Sequence, residues 1–402
     1  MIETEQRQVV FYSLCFKAAV LLVFIASVGI FSSCTSKQEE EIEAARLKAD
    51  SVRIALRQQA IARDSANARI TRHSFDSVQT VSYVRSVISS RPQLDSIKNV
   101  FAKKPATILA YRAFVTVNRK NIQYFRLGDT IMLPSLISSD VRVYSPFPHR
   151  YPWADSIPKI IFVSNKHQCY ACYERGQLVR FAACNTGREQ KPTFPGRYTL
   201  NWRDKLRRSS LDSNWVLPHT WNFHLFAGSA FHEFDMPGRP ASHSCVRQFP
   251  EDAEWLYSWG RGGLIDTAKR KVIPMTGTPV IILDVFDYTR KKGGPWWDVS
   301  TNKDVAIALP KHPLEVEEAL IPISQIPPEV RWNLPGKERY EWAEDTLRKR
   351  GWIAANVMLD ESVNYNKQRR DKAKAAAKVA RAIAAKKAKE TALQKVSSQS
   401  FQ

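Results

Sequence analysis

Residues 169–183, CYACYERGQLVRFAA, contain two apolar segments on either side of a short polar turn. Cys169 to Tyr173 and Leu178 to Ala183 are rich in aromatic and apolar residues, and the segment Glu174 to Gln177 separates them. This pattern predicts a β-hairpin, with Ile160 to Val163 as the strand before it.

The β pattern continues towards the C-terminus. Gly196 to Trp202 and Val280 to Val285 are further predicted strands. Pro250 to Trp259 is a predicted helix, because it begins with proline and has acidic residues in its first turn. The sequence therefore predicts a mainly β domain with a short helix, over residues 155–288.

One cysteine in this region lies close to two histidines. The two segments are Phe231-His232-Glu233-Phe234 and Ser242-His243-Ser244-Cys245-Val246-Arg247. Imidazole accepts a thiol proton near neutral pH, so Cys245 is the candidate nucleophile. A helix beginning near Pro250 would lower the thiol pKa further, and backbone N–H groups of the turn would bind a developing oxyanion. A zinc site made of His232, His243 and Cys245 is the alternative, without the spaced second pair of ligands that common structural sites have.

These residues resemble the motif of the L,D-transpeptidase (YkuD) family. That motif has a His, a variable gap, and then Ser/Thr-His-Gly-Cys followed by an apolar residue and Asn or Arg. The matching residues are His232, Ser242, His243, Cys245, Val246 and Arg247. Segments Gln177 to Gly187, Lys191 to Tyr198 and Gly277 to Ile282 resemble further parts of the family in the same order.

The resemblance implies an L,D-transpeptidase-like β-sandwich with a short helix after the nucleophile Cys245. His232 would be the general base, and His243 would support the site through the turn or the substrate. The implied reaction is ping-pong acyl transfer on peptidoglycan stem tetrapeptides, with a thioester intermediate, release of D-alanine, and no cofactor or metal. Water in place of the acceptor amine would make the protein an L,D-carboxypeptidase or hydrolase, and no residue distinguishes these two acceptors.

Two features differ from the family's pattern. Ser244 stands where the family has Gly, so the turn is strained if this position needs a positive φ. The gap between the histidines is also shorter than in the best-known members. Ser242, Ser244 and Arg247 are predicted to form the substrate-binding or oxyanion turn, with Arg247 holding the turn, a substrate carboxylate or a structural ion pair. If Ser244 disables the site, the alternative is a non-catalytic wall-binding lipoprotein.

Three further cysteines lie in the predicted strands. Cys169 and Cys172 are three residues apart and so face opposite sides of a strand, which argues against a thioredoxin-like pair. Pairing of the strands across the predicted turn places Cys169 opposite Ala182 and on the same face as Cys184. A Cys169–Cys184 disulfide is therefore one prediction.

The N-terminus predicts export and lipidation. Ala18 to Phe31 are fourteen uncharged residues after Lys17, and Ser32-Ser33-Cys34 follows. This resembles a bacterial lipoprotein signal, so residues 1–33 are the predicted signal peptide and Cys34 the predicted lipidation site. An uncleaved membrane anchor is the alternative. The predicted location is the cell envelope, as a periplasm-facing membrane lipoprotein, which argues against nucleic acid as a partner.

Two segments lie between the signal and the β domain. Residues 34–75 are a predicted helical stalk, because they lack Gly and Pro up to Arg72 and show an apolar 3,4 spacing; a solvated spacer or a dimerising coil fits this pattern. Residues 76–150 are a predicted small module. Its segment Leu127 to Pro134 resembles the closing strand of a LysM-like wall-binding repeat, and a generic packing domain is the alternative.

The C-terminal part contains an extension, residues 289–365, and a basic tail, residues 366–402. The chain has a formal net charge of +21, which favours a polyanionic partner. Lys367 to Lys395 contain eleven Lys or Arg and two Asp or Glu, a net +9. The tail is predicted to be a solvated basic helix or a disordered segment, with an anionic polymer or lipid as its possible partner.

Overall fold

The structure is a computed structural model that describes residues 79–290, 292–304 and 307–399, together with Ser51. The predicted signal peptide, Cys34 and the predicted stalk apart from Ser51 lie outside these residues. None of the described helices has the length and apolar character needed to cross a membrane.

The described chain contains thirteen strands and five α-helices. In chain order they are β1 (Tyr83–Val87), α1 (Arg91–Val100), α2 (Ile108–Asn118), β2 (Thr130–Pro134), β3 (Ile160–Ser164), β4 (Cys169–Glu174), β5 (Gln177–Asn185), β6 (Gly196–Thr199), β7 (Arg203–Arg208), β8 (Val216–Asn222), β9 (Ala230–Glu233), β10 (Val246–Gln248), α3 (Pro250–Trp259), β11 (Ile265–Asp266), β12 (Lys271–Val272), β13 (Pro279–Ile282), α4 (Lys337–Lys349) and α5 (Tyr365–Gln399). Nine of these strands form one sheet, in the order β6-β13-β3-β4-β5-β10-β9-β8-β7. The mainly β fold is confirmed, and the predicted helix after Cys245 begins at Pro250 and ends at Trp259.

The predicted hairpin is formed by β4 and β5. Arg175 and Gly176 between them have φ values of 43° and 71°, the left-handed conformation that matches a two-residue turn to the twist of its strands. A Cβ atom on Gly176 would lie 2.5 Å from the carbonyl oxygen of Tyr151, so glycine is required by space as well as by φ.

The predicted pairing of Cys169 with Cys184 is wrong. A β-bulge after Cys172 shifts the register, so that Cys169 lies opposite Ala183 and not Ala182. A shift of one residue moves a side chain to the other face of its strand. Cys169 and Cys184 accordingly belong to two different apolar clusters, and both thiols are free.

The centre of the sheet is buried on both faces. On one face Tyr170 and Val163 belong to a cluster that includes Leu320 and Leu347 of the C-terminal extension. On the other face Phe162 belongs to a cluster with residues from the small module, residues 76–150, and from the segment after β13. Strands covered on both faces have nearly continuous apolar sequences, as β3 and β4 do.

The small module has the element order β1-α1-α2-β2. β1 and β2 pair antiparallel, from Tyr83 opposite Pro134 to Val87 opposite Thr130. The module's own apolar cluster includes Met236, which lies in the loop after β9. Glycan binding by this module stays a prediction.

Candidate active site

Cys245 and His232 are brought together by two neighbouring strands. β9 and β10 run parallel, with Val246 opposite Phe231 and Arg247 opposite His232. Alternate residues of a strand point to opposite faces. Phe231 and Val246 therefore enter the apolar core, whereas His232, Cys245 and Arg247 line a pocket on the other face.

The pocket has a volume of about 400 Å³. Ser242 and His243 also line it, and Ser244 lies beside it on a smaller cavity. Neighbouring strands are ~4.8 Å apart, and His232 lies two residues, ~6.6 Å, along β9 from the position opposite Cys245. Cysteine and histidine side chains can bridge such a separation.

Burial sets the protonation states of the pair. It raises the pKa of the Cys245 thiol to about 11, against the opposing effects of the Ala230 backbone and Arg247. It lowers the pKa of His232 to about 4, although Nδ1 lies 2.9 Å from the carbonyl oxygen of Glu233. Because a carbonyl only accepts, Nδ1 carries the proton and Nε2 is free to take one from a thiol. Near neutral pH the pair is thus a thiol and a neutral imidazole.

The expected effect of the helix on Cys245 is wrong. Strand β10 lies between Cys245 and the first residue of α3, Pro250. The field of a helix terminus falls off within about one turn. Burial therefore determines the thiol pKa, and raises it.

The turn before Cys245 is held by hydrogen bonds to neighbouring segments. The backbone N–H of Ser242 donates to the carbonyl of Thr186 at 3.0 Å, and the Ser242 hydroxyl donates to the carbonyl of Cys245. Ser244 has φ +76°, a left-handed conformation, so the backbone is strained at this serine as predicted for a positive φ. Its hydroxyl lies 2.8 Å from that of Ser229. The oxyanion role of this turn stays a prediction.

Arg247 holds the loop that leads to this turn. Its guanidinium donates to the carbonyls of Asp235 and Ala241, each at 3.1 Å, and lies 4.6 Å from the centre of the Phe234 ring. Of the predicted roles for Arg247, these contacts favour holding the turn.

Residues 158–282 match the YkuD family, the L,D-transpeptidase catalytic domain. This YkuD segment runs from just before β3 to the end of β13 and contains both strands of the candidate site. The predicted resemblance is confirmed for this segment. No curated protein matches the chain.

Several solved L,D-transpeptidases are similar in fold. The protein from Mycobacterium smegmatis is 15% identical, with a TM-score of 0.26; the match covers 32% of this chain and 59% of that one. The protein from Stackebrandtia nassauensis is 17% identical, with a TM-score of 0.28, and the match covers 48% and 77% of the two chains. For that from Xylanimonas cellulosilytica the identity is 18%, the TM-score 0.29, and the coverage 50% and 97%.

The small module outside the YkuD segment holds the loop between the two histidines. The N–H of Asn121 donates to the carbonyl of Met236 at 2.8 Å, and the N–H of Met236 donates to Oδ1 of Asn121 at 2.6 Å. The hydroxyl of Tyr124 donates to Asp235 at 2.8 Å. The sequence offered no signal for these contacts, because the loop has no apolar periodicity.

A second side of the pocket is formed by the β7–β8 hairpin, at the edge of the nine-stranded sheet. Arg207 and Trp215 line the pocket from this hairpin, and Trp202 lines it from the position just before β7. The ring of Trp215 packs 5.1 Å from the ring of His243. Burial, with the positive charges of nearby arginine and lysine side chains, lowers the pKa of His243 to about 4.

The tip of this hairpin is bound to the first turn of α5, far outside the YkuD segment. The N–H of Ser213 donates to Oδ1 of Asn366, and Nδ2 of Asn366 donates to the carbonyl of Ser210, both at 2.8 Å. Arg369 forms an ion pair with Asp212 at 2.6 Å. Further pocket-lining residues come from the C-terminal extension: Pro327, Glu329, Val330 and Asn364. None of these residues was a predicted site residue.

The zinc alternative gains no support from the described geometry. Within the described ranges, no three His, Cys, Asp or Glu side chains are arranged to hold a metal ion.

Proposed function

We propose that this chain is a peptidoglycan L,D-transpeptidase that uses Cys245 as its nucleophile. One observation supports this proposal above all. Cys245 and His232 both lie in the segment that matches the L,D-transpeptidase catalytic domain, and they line one pocket from neighbouring strands. The proposed substrate is the tetrapeptide stem of peptidoglycan.

In the first half of the proposed reaction, the sulfur of Cys245 attacks the carbonyl carbon of the third stem residue. Nε2 of His232 accepts the thiol proton as the C–S bond forms, and the proton passes to the leaving amine as the C–N bond breaks. The products are a thioester and free D-alanine. Backbone N–H groups of the turn at Ser244 and Cys245 are the proposed oxyanion donors.

In the second half, an amine attacks the thioester carbonyl, His232 accepts a proton from that amine, and the proton passes to the sulfur of Cys245 as the C–S bond breaks. If the amine belongs to the diamino acid of a neighbouring stem, the product is a cross-link. Water as the acceptor would give a tripeptide, which is the carboxypeptidase reaction.

Incubation of the purified full chain with disaccharide tetrapeptide, followed by mass spectrometry, tests the proposal. We expect a cross-linked dimer and free D-alanine, both absent with the Cys245→Ala variant. Tripeptide without dimer would assign the protein to the carboxypeptidases. Unchanged substrate with a folded protein would leave the non-catalytic wall-binding lipoprotein as the better hypothesis.

We also propose that lipid on Cys34 holds the protein at the periplasmic side of an envelope membrane. The support is the sequence Ser32-Ser33-Cys34 after an apolar segment. Mass analysis of the mature N-terminus should find an acylated Cys34. An intact Met1 or an unmodified Cys34 would contradict this proposal.

A further inference from the structure

Two arginines line the catalytic pocket, and they differ in what they contact. Arg247 donates to two backbone carbonyls. Arg207, on β7, is half-buried and lies with its guanidinium carbon 5.0 Å from the centre of the Trp202 ring. Within the described part of the chain, the Arg207 side chain forms no ion pair or hydrogen bond. Glu329, an acidic pocket-lining residue, is exposed.

Packing on Trp202 leaves the hydrogen-bonding edge of Arg207 available. A guanidinium interacts with an aromatic ring through its flat face, whereas its N–H donors lie in the plane. The ring therefore restricts the orientation of the charge without satisfying its donors. A planar pair of N–H donors matches the two oxygens of a carboxylate.

We propose that Arg207 and Trp202 form a carboxylate subsite that binds the substrate peptide beside Cys245. The inference rests on the proposed function for the identity of that peptide. A stem tetrapeptide offers two candidate carboxylates near the reacting bond, one on the terminal D-alanine and one on the side chain of a diamino third residue. The subsite recognises their shared chemistry.

Direct binding tests the subsite without turnover. Disaccharide tetrapeptide is titrated calorimetrically into the full-length Cys245→Ala protein, with and without Arg207→Gln. Loss of a charge-assisted bidentate contact should weaken the Kd about 10- to 100-fold. The matched control is Lys205→Gln, because Lys205 is an exposed cation on the same strand and does not line the pocket. This control should bind like its parent.

Two amidated peptides identify the carboxylate. One has the terminal D-alanine as its amide, and the other has the side-chain carboxylate of the third residue as its amide. The peptide that lacks the recognised carboxylate should bind the parent and the Arg207→Gln protein equally, which also shows that the variant is folded. Arg207→Lys retains the charge but not the paired donors, so its affinity should be intermediate.

Equal affinities of the Arg207→Gln and Lys205→Gln proteins for the unmodified peptide would overturn the subsite. So would an equal loss of affinity by Arg207→Gln for all three peptides. Turnover by the wild-type protein is measured separately, so loss of the subsite and loss of the proposed reaction remain distinguishable.

Discussion

The two sides of the pocket are held in different ways. The core wall, formed by β9 and β10, lies inside the sheet, where β10 is paired with β5 on one side and β9 on the other. The hairpin wall, formed by β7, β8 and the tip between them, lies at the sheet edge, and Asn366 of α5 binds its tip. The first wall has backbone ladders on both sides, whereas the second is joined to the sheet by the β8–β9 ladder alone and is held at its tip by side-chain contacts. We therefore expect chemistry to depend on the core wall and substrate retention on the hairpin wall.

The largest effect should come from His232 on the core wall. His232→Gln removes the proposed base and should lower kcat/KM about 10³-fold, mainly through kcat. The measurement is the rate of thioester formation, followed by mass spectrometry. His312→Gln is the control, because His312 is exposed and does not line the pocket. A loss of less than about tenfold would remove His232 from the general-base role.

Acid should lower the unfolding free energy of the protein through His232, the same histidine of the core wall. The pKa of His232 is lowered to about 4 in the folded protein, so the unfolded chain binds a proton more readily. The stability from this group is complete above its ordinary pKa of 6.5 and is lost as the pH falls towards about 4. The loss should reach roughly 3 kcal/mol.

Urea unfolding at a series of pH values checks this linkage. Other histidines with lowered pKa values, such as His224, add to the slope, so the comparison is with His232→Gln. The variant should show a shallower loss of unfolding free energy below about pH 6.5. Parallel curves would show that His232 does not have the lowered pKa.

The core wall could be predicted from the sequence because its signals are local. The order of His232, Ser242, His243 and Cys245 lies within fourteen residues, and the proline at 250 marks the start of α3. The register of β4 could not be predicted, because a β-bulge moves Cys169 by one residue without changing the apolar pattern. Burial of Cys245 is likewise a tertiary property, and it reverses the pKa change that the nearby helix suggested.

The hairpin wall carried no comparable signal. Ser213 and Asn366 are 153 residues apart and meet through polar contacts, which leave no periodicity in either segment. The basic composition of the tail predicted a solvated helix or a disordered segment, and α5 is a helix whose side chains are exposed from Lys367 to Glu390. Tyr365, Asn366 and Arg369, among the first five residues of α5, contact the hairpin.

Loosening of the hairpin wall should affect binding more than chemistry. Asn366→Ala removes the hydrogen bond that the N–H of Ser213 donates to Oδ1 of Asn366 and the one that Nδ2 of Asn366 donates to the carbonyl of Ser210. The variant should raise KM about tenfold with little change in kcat. Lys367→Ala is the control, since its exposed ion pair with Asp371 contributes little. A fall in kcat with unchanged KM would contradict the division between the walls.

The same variant should change one histidine and spare the other. The ring of His243 is covered by Trp215 of the hairpin, whereas His232 is buried on β9. In Asn366→Ala the pKa of His243 should rise from about 4 towards its ordinary value, because water reaches the ring. The pKa of His232 should stay near 4. Histidine NMR titration measures both, and equal shifts would show that the walls are coupled.

The smallest effect is expected at Ser244, where the turn of the core wall departs from the family motif. Left-handed backbone at a non-glycine residue costs about 1–2 kcal/mol, and the hydrogen bond with Ser229 returns about 1 kcal/mol. Ser244→Gly removes both the backbone strain and the hydrogen bond with Ser229, so it should change the unfolding free energy by less than about 1 kcal/mol. Ser244→Ala keeps the strain without the hydrogen bond and should be destabilised by about 1 kcal/mol.

The difference in unfolding free energy between the two Ser244 variants therefore measures the backbone strain. Their kcat values test whether that strain affects the reaction. Neither change touches the thiol of Cys245 or the ring of His232, so we expect kcat to stay within about tenfold of the wild type for both. If Ser244→Gly raised kcat well beyond that range while Ser244→Ala did not, the left-handed serine would be limiting the reaction. In that case the β10 ladders would fix the position of Cys245, but the conformation of the turn at Ser244 would still limit the rate of the reaction.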